Sequence, residues 1–179
     1  RTPLDLPIMV SVTIETTGTM LLGTQIEAAA AALRNYPICS LGLNCATGPT
    51  EMGEHVHWLG RHWDGGGGHP VISPAVNGAR PVSVMPKAGL PILVEGRSEY
   101  PLKPEPFAEA LLKFVEGSGV SIVGGCCGTT PAHIAALVRA LESNRLLDRA
   151  AAQAPARTET KPACTSLYAS QEYPQDNSF

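Results

Sequence analysis

Two short segments hold residues whose types and spacing could do chemistry. One reads Gly42-Leu43-Asn44-Cys45-Ala46-Thr47-Gly48-Pro49 and the other Gly124-Gly125-Cys126-Cys127-Gly128-Thr129-Thr130-Pro131. Thiols at 45, 126 and 127 suit Zn²⁺, which takes sulfur at about 2.3 Å and, in catalytic sites, keeps three protein ligands and an open fourth position. Adjacent cysteines make poor disulfide partners for each other, because the bond geometry is demanding. The flanking glycines remove side-chain bulk, so two neighbouring thiols can turn to one ion. A substrate thiol entering the open position would lose its proton. Three anionic sulfurs would keep that fourth sulfur electron-rich, which favours attack on a methyl group over polarisation of a carbonyl. Residue chemistry alone leaves the vicinal pair open between a metal site, a redox pair and small buried side chains.

For the three thiols to meet, the fold must bring together positions separated by about 80 residues of chain. A strand-then-helix rhythm can do this. Residues 8–14 are rich in β-branched side chains and read as a buried strand. Residues 24–35 are Ala-rich with helical spacing, and Pro37 stops that helix. Residues 38–43 form a second strand, and Pro49 opens a helix to about His62. A third strand covers 80–85, and a third helix runs from Pro104 or Glu105 to just before Gly117. Residues 120–123 form a fourth strand. Thr130 caps a last helix that ends near Glu142.

Four such units predict an α/β fold with a parallel sheet under helices. A closed eight-unit barrel needs roughly 250 residues, so four units predict half of a (βα)₈ TIM barrel, with a small open sheet as the alternative. Each cysteine segment follows a strand and leads into a helix. In a barrel, strand C-terminal ends converge on the catalytic face. Residues 63–79, with four glycines at 65–68, read as a long flexible loop on the opposite side. Residues 143–179 turn polar and rich in Ala, Pro and Thr, and read as a linker.

Composition narrows the function classes. The 179 residues are 44% hydrophobic, ordinary for a globular domain, and carry a net charge of −3 from scattered ions. A nucleic-acid surface would need clustered positive charge. No run approaches the roughly 18 apolar residues of a membrane span, and residues 1–7 lack the apolar core of a secretory signal. A cytoplasmic, reducing compartment is therefore expected, and the five cysteines, at 39, 45, 126, 127 and 164, do not read as a disulfide framework. Cys39 and Cys164 read as small buried residues. His55, His57 and His62 read as surface residues, since none is spaced i, i+4 for metal. His133 sits in a first helical turn, where a cation gains nothing from the dipole. The glycine run lacks the following Lys-Ser/Thr of a phosphate loop.

The two cysteine segments closely resemble the signatures of the homocysteine S-methyltransferase family. The resemblance extends to Val12-Thr13-Ile14-Glu15-Thr16-Thr17-Gly18-Thr19-Met20-Leu21-Leu22-Gly23 and to Met85-Pro86-Lys87-Ala88-Gly89-Leu90-Pro91, and covers about residues 7–142 apart from the glycine loop. It implies a zinc enzyme with a (βα)₈ TIM barrel, of which this chain would be the C-terminal half, and in which Cys45, Cys126 and Cys127 are the metal ligands, homocysteine is the substrate and methionine the product. The tail from Thr165 to Phe179 resembles the connector that, in the cobalamin-dependent branch of the family, leads into a folate-binding module. In that branch the donor is methylcobalamin on a separate module, and the partners would be a missing N-terminal half-barrel and the downstream folate and cobalamin modules. The alternatives are a methyltransferase using betaine or S-methylmethionine, or an inactive zinc-binding fragment.

One position departs from the family pattern. Lys87 stands where the family has an Asn that lies near the zinc and can fill its open position at rest. A lysine ammonium has no lone pair to offer; it can pair instead with the thiolate cluster or with a substrate carboxylate. Glu15, at the end of the first strand, is a candidate for the substrate ammonium, and Asn44 for bracing the ligand loop, with a solvated carboxylate and a plain turn residue as the bland readings.

Overall fold

The computed structural model describes residues 8–36, 38–63 and 81–148. Pro37, the glycine run, Cys164 and the linker beyond residue 148 lie outside those residues. Four strands form one parallel sheet: β1 (Met9–Val12), β2 (Ser40–Asn44), β3 (Val82–Met85) and, beside β3 in space though separated from it in the chain by three elements, β6 (Ile122–Val123), in the order β1-β2-β3-β6. Between them run α1 (Ile26–Leu33), α2 (Pro49–His62) and α3 (Pro104–Ser118), with α4 (Pro131–Ser143) after β6. The strand–helix order expected from the sequence is present. The strands are shorter than their apolar runs: Ile14 and Val120 are buried but lie beyond the ends of β1 and β6.

Burial explains the order of strands. Ser40, Leu41, Gly42 and Leu43 of β2 are all buried, as are Val82, Ser83 and Val84 of β3, so both faces of the two central strands are covered. Parallel strands packed this way read as continuous apolar runs rather than alternating ones. Gly42 pairs with Ser83, and a Cβ on Gly42 would strike the Ser83 backbone, so glycine is required at that crossing.

The helices bury stripes at helical spacing. They use Ile26, Ala29 and Ala30 on α1, Met52, Val56 and Leu59 on α2, Phe107, Ala108 and Leu111 on α3, and Ala136, Leu137 and Leu141 on α4. Pro49, Pro104 and Pro131 each stand in a first helical turn, where a missing N–H costs nothing. Gly119 ends α3 at φ 65°, a left-handed cap that suits glycine.

Between β3 and α3 the structure contains a hairpin that the strand–helix rhythm does not predict. Strands β4 (Ile92–Val94) and β5 (Arg97–Glu99) pair antiparallel through Glu95 at φ 48° and Gly96 at φ 77°. Two consecutive positive φ angles match the right-handed twist of a two-residue hairpin. All six strand residues are exposed, so no hydrophobic alternation marks them; the signal in the sequence is the Glu95-Gly96 pair alone. Among the described residues, no helix is long and apolar enough to cross a membrane.

Candidate metal centre

The cysteine loops leave the C-terminal ends of β2 and β6, and the segment leaving β3 runs between them. Its backbone joins both. The Cys45 N–H donates to the Met85 carbonyl at 3.0 Å, and the Lys87 N–H donates to Thr47 at 3.0 Å. On the other side, the Cys126 N–H donates to Pro86 at 2.9 Å and the Ala88 N–H to Cys127 at 2.9 Å. Residues 85–88 thus form a template on which two loops distant in sequence are held in register.

Local conformation then turns the side chains. Cys45 and Ala46 both adopt positive φ, 58° and 50°. Such angles cost a non-glycine residue on the order of 1–2 kcal/mol each and persist where the surroundings impose them, often at functional sites. The Thr47 N–H closes this turn on the Cys45 carbonyl at 2.6 Å. Around the vicinal pair, the Thr129 hydroxyl donates to the Cys126 carbonyl at 2.6 Å and the Thr129 N–H to the same carbonyl at 3.1 Å. Gly125 leaves space for Thr129, into which a Cβ would run.

The result is a cluster of three thiols. Cys45 Sγ lies 3.6 Å from Cys127 Sγ, Cys126 Sγ lies 3.8 Å from Cys127 Sγ, and all three sulfurs are within 4.8 Å of one another. Two sulfurs on a tetrahedral zinc, each about 2.3 Å from the metal, sit about 3.8 Å apart. The donor set and its spacing therefore fit such an ion. Cys127 is exposed while Cys45 and Cys126 are half-buried, so the cluster opens to solvent on one side.

Its electrostatics are divided. Burial, helped by the neighbouring Cys45 thiol, pushes the Cys126 thiol up to about 11. Cys127 moves below the ordinary thiol value, because hydrogen bonds from Cys45 and then Cys126 support its thiolate, as do the Tyr100 hydroxyl and the Lys87 ammonium. The half-buried Cys126 thiol is thus the weaker acid of the two and the exposed Cys127 thiol the stronger.

Residues 1–141 match the family model described as Homocysteine S-methyltransferase. The chain belongs to the homocysteine S-methyltransferase family. Among curated relatives of this family member, a methionine synthase of Mycobacterium tuberculosis (strain ATCC 25618 / H37Rv) is 44% identical over 174 residues, covering 97% of this chain and 13% of the relative. A methionine synthase of Mycobacterium leprae (strain TN) is 46% identical over 164 residues, covering 91% of this chain and 12% of the relative. The chain thus spans about an eighth of the length of these relatives.

The other residues singled out in the sequence fall around the cluster or away from it. Glu15 follows β1, Asn44 ends β2 and Lys87 follows β3, so all three sit at strand C-terminal ends, as the cysteines do. Each is half-buried. Cys39 is not part of the thiol cluster; its thiol donates to the Ile8 carbonyl at 3.0 Å. His57 lies 3.3 Å from the Ser118 hydroxyl, and His62 stacks on Trp58.

His133 has a definite structural task that its place near a helix N-terminus does not reveal. It is buried, packs edge-on against Phe107, and its Nε2 lies 2.9 Å from the Leu102 carbonyl. A carbonyl only accepts, so Nε2 carries the proton and Nδ1 accepts the Thr130 N–H at 3.2 Å. Tyr100 was not marked by any motif. It lies just past the hairpin, and its ring occupies the space that a side chain on residue 128 would need.

Proposed function

We propose that this chain supplies the thiol-activating zinc site of a homocysteine S-methyltransferase, as part of a cobalamin-dependent methionine synthase. Cys45, Cys126 and Cys127 would hold the Zn²⁺. Bound there, the ion would make a thiol in its fourth position a thiolate at neutral pH. The observation that carries the reading is the convergence of three thiols, from two distant loops, at spacings that match a tetrahedral ion.

The residues around the cluster have proposed tasks in binding homocysteine. Glu15 is suited to its ammonium and Lys87 to its carboxylate, while Asn44 braces the loop that carries Cys45. The homocysteine sulfur would attack the donor methyl carbon as the bond from that methyl to its carrier breaks, giving methionine. Identity of 44% and 46% to two methionine synthases supports methionine as the product, and the resemblance of the tail from Thr165 to Phe179 to the connector of the cobalamin-dependent branch is the ground for methylcobalamin on a separate module as the donor.

The parallel sheet supports a wider architectural reading. Four strand–helix units with the cluster at their C-terminal ends would form the second half of a (βα)₈ barrel. Residues 1–142 would be the partial homocysteine-binding domain, and 143–179 a linker toward a following module.

Metal analysis of the purified chain beside its Cys126→Ala variant tests the site. One zinc per wild-type chain and a large loss in the variant are expected. Equal zinc in the two proteins would sink the assignment.

A further inference from the structure

His133 ties the vicinal thiol loop to a distant part of the chain. Its ring is buried, and both of its nitrogens are used. The Nε2–H donates to the Leu102 carbonyl at 2.9 Å, so Nδ1 carries a lone pair. That lone pair faces two donors of one residue, the Thr130 N–H at 3.2 Å and the Thr130 hydroxyl at 2.9 Å. Edge-on packing against Phe107 of α3 sets the plane of the ring. A neutral imidazole protonated on Nε2 satisfies all of these partners. The other tautomer offers Leu102 no donor, and the cation offers Thr130 no lone pair.

These bonds close a circuit around Cys127. The Leu102 N–H donates to the Ala88 carbonyl at 3.0 Å, and the Ala88 N–H donates to the Cys127 carbonyl at 2.9 Å. From Cys127 the chain runs on to Thr130, which returns to His133. Cys127 therefore sits on a loop held at both ends, by Ala88 and by Thr130, and both holds lead to Leu102. The Cys45 loop hangs on Met85 and Lys87, so the segment leaving β3 is the frame common to all three thiols. At this helical position a Glu or Gln ordinarily reaches back to the capping residue's N–H and goes no further. The imidazole does that and also reaches Leu102.

We propose that His133 is a positioning residue of the thiol cluster: its bridge from Thr130 to Leu102 fixes the Cys126–Cys127 loop against the same strand exit that holds the Cys45 loop. The proposal rests on the zinc reading given above. Without the bridge, Cys126 and Cys127 keep their place in the chain but lose one of the two holds that set their distance from Cys45.

The test compares the full chain with its His133→Phe and Leu141→Ala variants. Phe keeps a planar ring against Phe107 and deletes both bonds. Leu141→Ala opens the core about two turns further along α4 and leaves the bridge intact. Each protein is loaded with Zn²⁺, and release to a chromophoric chelator is timed. Each is also loaded with Co²⁺, and the thiolate-to-cobalt absorption is recorded. Loss of an outer-shell partner lowers metal affinity by about 10–100-fold. Both variants are expected to lower the urea midpoint, but only His133→Phe should release zinc about tenfold faster and shift the cobalt band. Release within about twofold of wild type with an unshifted band overturns the proposal, as does equally fast release from Leu141→Ala. Wild-type protein gives a reading that does not depend on a variant's folding. Coupling is reciprocal, so zinc should slow amide exchange in peptides holding Leu102 and Thr130 by about tenfold relative to peptides of α2. No such extra slowing at either residue overturns the proposal. Wild-type chain that holds no zinc overturns the zinc reading and this proposal together; normal wild-type loading with an unaffected Phe variant overturns this one alone.

Discussion

The Cys126 N–H donates to the carbonyl of Pro86 at 2.9 Å. Pro86 is buried directly beyond the end of β3, and the neighbouring Met85 carbonyl accepts from Cys45. Both ligand loops are therefore hung on one strand exit, and the distance between their thiols is set by main-chain bonds. Changes that disturb this backbone should therefore be felt at the thiol cluster and at any metal it holds.

Gly128→Ala disturbs it at two points. Alanine is strained at φ 79°, and its Cβ would displace the Tyr100 ring. The conformational and overpacking costs together come to about 2 kcal/mol or more. We expect a lower urea midpoint and reduced zinc content. An unchanged midpoint would contradict the crowding seen at this residue.

Lys87→Asn replaces an ammonium that has no lone pair by an amide that has one. Zinc retention against a chelator is expected to strengthen or stay unchanged. A marked loss of zinc in this variant would show that the lysine charge supports the site.

Metal binding should release protons. Cys126 is raised to about 11 in the metal-free chain by burial and the adjoining Cys45, so at pH 7 it is a neutral thiol that must ionise to bind. Its proton is displaced, and apparent zinc affinity should rise by about tenfold or more per pH unit as pH increases toward 9. The sign is fixed by the direction of the shift: acid favours the bound proton and works against the metal. Titration calorimetry in buffers of different ionisation enthalpy should report at least one proton released per zinc. A value of zero would count against Cys126 as a ligand.

Strand β1 lies at one edge of the four-stranded sheet and β6 at the other. Ile8 and Met9, at the β1 edge, are 49% and 50% exposed. Exposed apolar edge strands pair readily with other chains. The 179-residue chain alone is expected to self-associate and to transfer no methyl group to homocysteine, and added residues that complete the proposed barrel should restore folding before activity. Sedimentation velocity and a methylation assay decide it; an active monomer would refute the half-barrel reading.

The sequence by itself determined the repeated strand–helix units and the identity of the clustered thiols. These are local properties: an Ala-rich helix, a proline in a first helical turn, a β-branched run, and glycines beside Cys126 and Cys127 all act within a few residues. Tertiary structure alone decided what those thiols could do together. Their separations depend on Met85, Pro86 and Ala88, which bond to residues some 40 positions away and whose backbone groups carry no side-chain signature. The hairpin was hidden for a related reason. Its six strand residues face solvent, so burial imposes no pattern on them, and only Glu95-Gly96 hints at the turn. The packing of the Tyr100 ring into the space left by Gly128 was silent because a complementarity between two residues 28 positions apart exists only once the chain has folded.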